Sequence, residues 1–246
     1  ENRRDGAYTR ARDADSRGGH TVWAQRFDQE RVLVRRGCEE TADRLIEKLA
    51  PRIEKLKVGP YTAGDDVDFG PVVTSAAKQN ILNLVQSGID QGAELVIDGR
   101  DFSLQGYENG FFVGPHLFDR VTPDMDIYKK EIFGPVLSTV RAGSYEEAIG
   151  LAMSHEYGNG TAIFTRDGDT ARDFAIRKNI GMDGVNVPNP VPLAYHTFGG
   201  WKKSVFGDLN QHGPDSFKFY TRTKTVTSRW PSGIKEGGEF NFKAMD

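Results

Sequence analysis

From Glu39 onward the hydrophobic pattern switches repeatedly between the helical period of 3.6 and the strand period of 2, and this alternation restricts the chain to an α/β fold. In EETADRLIEKLAPRIEKLKVG the apolar residues Ala42, Leu45, Ile46, Leu49, Ile53 and Leu56 recur at helical spacing, with Pro51 placed to kink the helix and Gly59 beyond its end. Thr74 stands as the N-cap of a second helix that turns Ile81, Leu84, Val85 and Ile89 inward and stops at Gly92. Strands are expected over residues 94–97, 111–118, 135–141, 161–165 and 184–187. Between them, one helix opens at the capping box from Ser144 to Glu147 and another covers residues 169–178. Parallel neighbours need a crossover of a dozen or more residues, usually a helix, so the expectation is a largely parallel sheet covered by helices.

Charge divides the chain near Gly37. Residues 1–37 carry nine Arg, no Lys and six acids, a local +3, while the remaining residues carry -6. Few large aliphatics accompany those arginines, which predicts a loosely attached or disordered segment ahead of the folded part. The formal net charge of -3 gives no general basic field, so neither nucleic acid nor an anionic membrane is an expected partner. No apolar run approaches the ~20 residues that span a bilayer, and residues 1–20 contain no apolar stretch of the signal-peptide kind. A single cysteine, Cys38, rules out an internal disulfide and a multi-cysteine metal centre. A cytoplasmic location is the expectation that follows.

The last third is built differently. Prolines at 188, 190 and 192 make residues 186–193 a stiff extended stretch with few ladder bonds. In YTRTKTVTSRW, residues 220–230, threonines alternate with other residues and leave no hydrophobic face, which suits an exposed edge or pairing with a second chain. The glycine fingerprint of a dinucleotide fold, the phosphate-binding loop, the zinc-protease helix and the serine-hydrolase elbow are all missing. The five histidines are scattered without metal-ligand spacing, so no metal site is expected.

What remains is a set of glycine- and proline-rich turns, and read in order they have a recognisable form. GYENGFFVGP (residues 106–115), KKEIFGPVL (129–137), YGNGTAIFTRDG (157–168), GVNVPNPVPLAYHTFGGWKKS (184–204) and FGDLNQHGPDSFKFYTRTKTVTSRW (206–230) resemble the C-terminal half of the aldehyde dehydrogenase superfamily. The PVPLAYHTFGGWK stretch and the QHGPDS to TVTSRW tail are most similar to the methylmalonate-semialdehyde dehydrogenase branch. The resemblance implies an aldehyde-dehydrogenase-like catalytic domain over residues 38–219 and a C-terminal oligomerisation strand and tail over 220–246, with residues 1–37 outside the match. It implies NAD-dependent oxidation of an aldehyde by a cysteine nucleophile, the resulting thioester passing to coenzyme A, in a homo-oligomer. Glu131 and Phe133 of EIFGP match the residues that hold the nicotinamide ribose and pack near its ring, a carboxylate being suited to accept hydrogen bonds from two ribose hydroxyls. Phe198 falls where an aromatic lines the substrate tunnel, and Lys202 and Lys203 are candidates to attract a substrate carboxylate or coenzyme A phosphates.

The nucleophile does not transfer. The position that matches the catalytic cysteine falls within residues 25–30, QRFDQE, which contain none. Cys38 sits some ten residues further on; the start of a helix, with Arg35 and Arg36 close by, would favour its thiolate, yet catalytic geometry tolerates errors of only ~1 Å. The expectation is therefore half an active site, inactive as an isolated chain, with a non-catalytic oligomerising or interaction remnant as the alternative. Three residues depart from the pattern: Asp183 and Asn189 stand at apolar positions, and Val205 replaces a turn glycine, where a positive φ would strain it.

Overall fold

The computed structural model describes residues 21–26, 29–35, 39–64, 67–188, 190–197, 199–228 and 230. Cys38, Asn189, Phe198 and the tail from residue 231, like residues 1–20, lie outside the described residues. In chain order the elements are β1 (Thr21–Arg26), β2 (Gln29–Arg35), α1 (Glu39–Ile53), α2 (Ser75–Asp90), β3 (Glu94–Ile97), β4 (His116–Asp119), α3 (Asp126–Lys129) and β5 (Val136–Ala142). They continue with α4 (Tyr145–Ser154), β6 (Tyr157–Gly158), β7 (Gly160–Phe164), α5 (Gly168–Arg177), β8 (Met182–Val185), β9 (Trp201–Lys202) and α6 (Ser216–Tyr220).

Seven strands form one sheet in the order β3-β4-β5-β2-β1-β7-β8, while β6 and β9 make a separate two-stranded ribbon. The pairs β4/β5, β5/β2 and β7/β8 are parallel, and β3/β4, β1/β2 and β1/β7 are antiparallel. The sheet is thus mixed, which corrects the largely parallel expectation. The cause is the hairpin β1–β2, which lies in the middle of the sheet: Thr21–Arg26 pairs with Gln29–Arg35 on one side and with β7 on the other. Residues 21–26 and 29–35 are therefore part of the fold rather than a loose arm. Their arginines conceal a strand-forming run, since Val22, Trp23, Val32, Leu33 and Val34 are all residues that favour extended backbone.

Helices cover both faces. Leu117 and Phe118 are adjacent in β4 and point to opposite sides, as the period of a strand requires. Leu117 joins Ala42, Leu49 and Ile53 of α1, with Leu137 and Ala162, under one face. Phe118 joins Ile81, Leu84 and Val85 of α2, Val136 and Val140 of β5, Ala148 and Ile149 of α4, and Phe174 of α5 under the other. The caps form where the sequence places them: the Thr74 side chain accepts from Ala77 N at 3.0 Å, and that of Ser144 from Glu147 N at 3.1 Å, while Glu147 reaches back to the Gly143 amide. Asp167 caps α5 through Thr170 N at 2.8 Å. At the ends of β4 and β5, Asp119 accepts from Arg141 and from the Thr139 hydroxyl. Burial alone would push its carboxyl up, but those donors hold it below the usual carboxylate range. Arg141 also reaches Asp43 at 2.6 Å, tying α1 to the sheet.

Candidate active site

The EIFGP turn lies between α3 and β5, so each of its ends is anchored by an element of the core. Ile132 is buried and fixes the middle of the turn. On either side of it the chain turns outward: Glu131 is half-buried, and Phe133 is 60% exposed with a φ of 59°. A bulky residue in the left-handed region costs on the order of 1 kcal/mol or more, and the neighbours hold it there. Gly134 packs against α2, where an added Cβ would lie 2.5 Å from Cδ1 of Ile81. The Gly134 carbonyl accepts from Val136 N at 2.7 Å, and the Pro135 carbonyl accepts from His116 N at 2.8 Å. The lysines before the turn are engaged locally, Lys129 Nζ with the Asp124 carbonyl at 2.7 Å and Lys130 Nζ with Asp126 at 2.8 Å. Glu131 and Phe133 thus share one rigid turn and offer a carboxylate beside an open aromatic face. Cys38 and Phe198 lie outside the described residues.

The GGWKKS segment, residues 199–204, serves a structural purpose. Its strand β9 pairs with β6, Tyr157 opposite Lys202 and Gly158 opposite Trp201. Lys202, at a φ of 55°, donates to the carbonyls of Met153 at 2.6 Å and His155 at 2.9 Å and so caps the end of α4. Lys203 pairs with Glu156. Both ammonium groups, read from sequence as attractors of substrate or coenzyme A phosphates, are engaged by the protein itself. Gly199 presses its carbonyl on Gly181, where a Cβ would lie at 2.4 Å. Val205 is free of the strain its position suggested, because the positive φ values in this turn fall on Lys202 and on Gly207, the latter at 78°.

Asp183 has a partner that sequence reasoning missed. It lies on β8 and binds Lys178, the residue that ends α5, whose side chain is fully buried with Nζ 3.2 Å from the centre of the Phe174 ring. Burial pushes the Lys178 ammonium down to about 8 against the pull of Asp183, and burial likewise raises the Asp183 carboxyl. The pair is separated by five residues and a strand boundary, so no helical spacing could have disclosed it. Among the described residues no group of three or more His, Cys, Asp or Glu could hold a metal ion, and no helix is long and apolar enough to cross a membrane.

Residues 27–226 match the aldehyde dehydrogenase family. That match begins ten residues ahead of Gly37 and takes in β2. The malonate-semialdehyde dehydrogenase of Pseudomonas aeruginosa is 56% identical over 208 residues, 84% of this chain and 42% of that protein. The acylating mitochondrial methylmalonate-semialdehyde dehydrogenase of Arabidopsis thaliana is 49% identical over 186 residues, 75% of this chain and 30% of that one. Among solved structures, a Sinorhizobium meliloti protein complexed with NAD, assigned as a methylmalonate-semialdehyde dehydrogenase, superposes with a TM-score of 0.76 at 71% identity. It covers 83% of this chain and 41% of its own. The chain therefore spans between about a third and two fifths of the length of the proteins it matches.

Proposed function

The chain belongs to the aldehyde dehydrogenase family of oxidoreductases, and on that footing we propose that it supplies the nicotinamide-holding part of a coenzyme A-acylating malonate- or methylmalonate-semialdehyde dehydrogenase. The observation that carries the proposal is the EIFGP turn, which combines a half-buried Glu131 with an open Phe133 face on a backbone locked by Ile81 and His116. These residues fit the cofactor. Glu131 would accept hydrogen bonds from the two hydroxyls of the nicotinamide ribose, and Phe133 would offer its ring as an apolar wall beside the nicotinamide. NAD supplies the hydride acceptor when bound. The rigid turn holds carboxylate and ring in fixed relation, so little ordering of the protein has to accompany binding. Phe198 stands in this proposal as the aromatic that lines the substrate path. Coenzyme A is the co-substrate, as the name of the Arabidopsis relative suggests. A homo-oligomer joined through residues 221–229 and a cytoplasmic location complete the proposal.

The cysteine required by the chemistry has no counterpart in residues 25–30, and Cys38 is not assigned to it. The 246-residue chain alone should give no NADH with malonate or methylmalonate semialdehyde, NAD and coenzyme A. Turnover abolished by Cys38→Ala would instead establish Cys38 as the nucleophile. The same missing cysteine favours a second reading, a non-catalytic partner that keeps the sheet and its binding surfaces. Exposed Phe206, Phe217 and Trp230 give such a partner apolar contacts to offer.

A further inference from the structure

We propose that His116 is an acid-responsive switch seated beneath the 131–135 turn, and that its protonation moves the turn. The proposal builds on the assignment of Glu131 to the cofactor. His116 opens β4 and lies opposite Val136, the first residue of β5, while its backbone N–H holds the Pro135 carbonyl. Its ring is completely buried, and among the described residues neither Nδ1 nor Nε2 has a hydrogen-bond partner. Nε2 stands 4.0 Å from Oδ1 of Asp98, too far for a hydrogen bond. Asp98 is held by Arg100, whose Nε lies 2.8 Å from Oδ1 and whose Nη1 reaches Gln86 of α2 at 2.7 Å. The charges acting on the ring are those of Asp98 and Arg100, and the carbonyls of Pro135 and Gly114 also face it.

A neutral imidazole is tolerated in this place. A proton taken from solvent creates two N–H donors in a site whose acceptors are Asp98, already engaged, and the two carbonyls. Pairing with Asp98 requires the ring to close the gap in competition with Arg100, and pairing with Pro135 requires it to share the carbonyl that anchors the turn. The adjoining backbones leave no slack, because Gly99 and Gly114 are in such contact that a Cβ on the former would lie 2.4 Å from the carbonyl carbon of the latter. The displacement is therefore taken up by the turn, which has an exposed side. Burial lowers the His116 pKa below 6.5 in spite of Asp98. The unfolded chain accordingly takes the proton first, so this contribution to stability is present above about pH 6.5 and is lost as the pH falls toward the lower folded value.

The test is an NMR titration of the 246-residue chain from pH 7.5 to 4.5, following the His116 ring and the amides of Phe133 and Gly134. The ring should titrate below the value of a peptide imidazole, both amides should shift with the same midpoint, and Asp98→Asn should lower that midpoint further. A midpoint at or above 6.5, or amides that do not follow the ring, would overturn the proposal. His116→Gln should abolish the common midpoint; if that variant does not fold, Asp98→Asn alone decides. Should acid unfold the chain before His116 titrates, the proposal stands only if His116→Gln moves the unfolding to lower pH. No cofactor and no turnover enter this measurement, so its failure leaves the assignment of Glu131 intact, and failure of that assignment leaves the titration unaffected.

Discussion

Two residues, Gly134 in the turn and Lys178 at the end of α5, are constrained by what they pack against. Gly134 has no space for a methyl group because Ile81 fills it. Gly134→Ala should thus cost about 1–3 kcal/mol by overpacking, read as a lower urea midpoint at unchanged slope, with Ile81→Val recovering part of the loss. Lys178 is the second. With the folded ammonium at about 8 against 10.5 in the unfolded chain, the unfolded state binds more protons between those values. Stability should rise across that interval by about 3 kcal/mol at most, and the rise should be absent in Lys178→Met when both are unfolded by urea at pH 8 and pH 10. Legibility at this scale was uneven. Glu131 and Phe133 stand out in the sequence because they share one short motif, whereas Lys178–Asp183 and His116–Asp98 are brought together only by the folded chain, and no periodicity points from one partner to the other.

The elements were legible where local chemistry decides them. The caps at Thr74 and Ser144 occur as read, and replacing Thr74 by Ala should cost about 1 kcal/mol of stability through the lost bond to Ala77 N. The helix at Ser216–Tyr220 went unread because five residues are too few for a period to show. The strand expected over residues 111–118 shrinks to His116–Asp119, since the stretch before it spends its backbone groups on loop contacts such as Val72 N to the Phe111 carbonyl at 2.9 Å. The larger misreading concerned β1 and β2. Composition placed residues 1–37 outside the fold, whereas Val32 and Val34 face Thr139 and Arg141 across a parallel pair. Hydrogen exchange tests this directly: amides of Val32 and Val34 should be protected like those of Val136 and Val140, and rapid exchange at the former pair alone would return the segment to the status of an arm.

At the scale of the molecule, a mixed sheet clothed by helices holds the 131–135 turn, whose exposed side is the one proposed to meet the nicotinamide riboside. The segment 221–228 is exposed and forms no strand among the described residues, which leaves its backbone edge open to pairing with a second copy. Deleting residues 220–230 should lower the apparent mass in light scattering if that pairing operates, and an unchanged monomer before and after would exclude it. The central claim, that this chain carries the cofactor side of a semialdehyde dehydrogenase, is best tested in a chimera. Residues 39–246 are joined to the part of the Pseudomonas aeruginosa relative that precedes the matching position, and NADH formation is followed with malonate semialdehyde and coenzyme A. The chimera should turn over, and Glu131→Gln should reduce kcat/KM for NAD about 10- to 100-fold, as expected for weakened charge-assisted hydrogen bonds. A chimera that folds and remains inactive, or one indifferent to Glu131→Gln, would contradict the account.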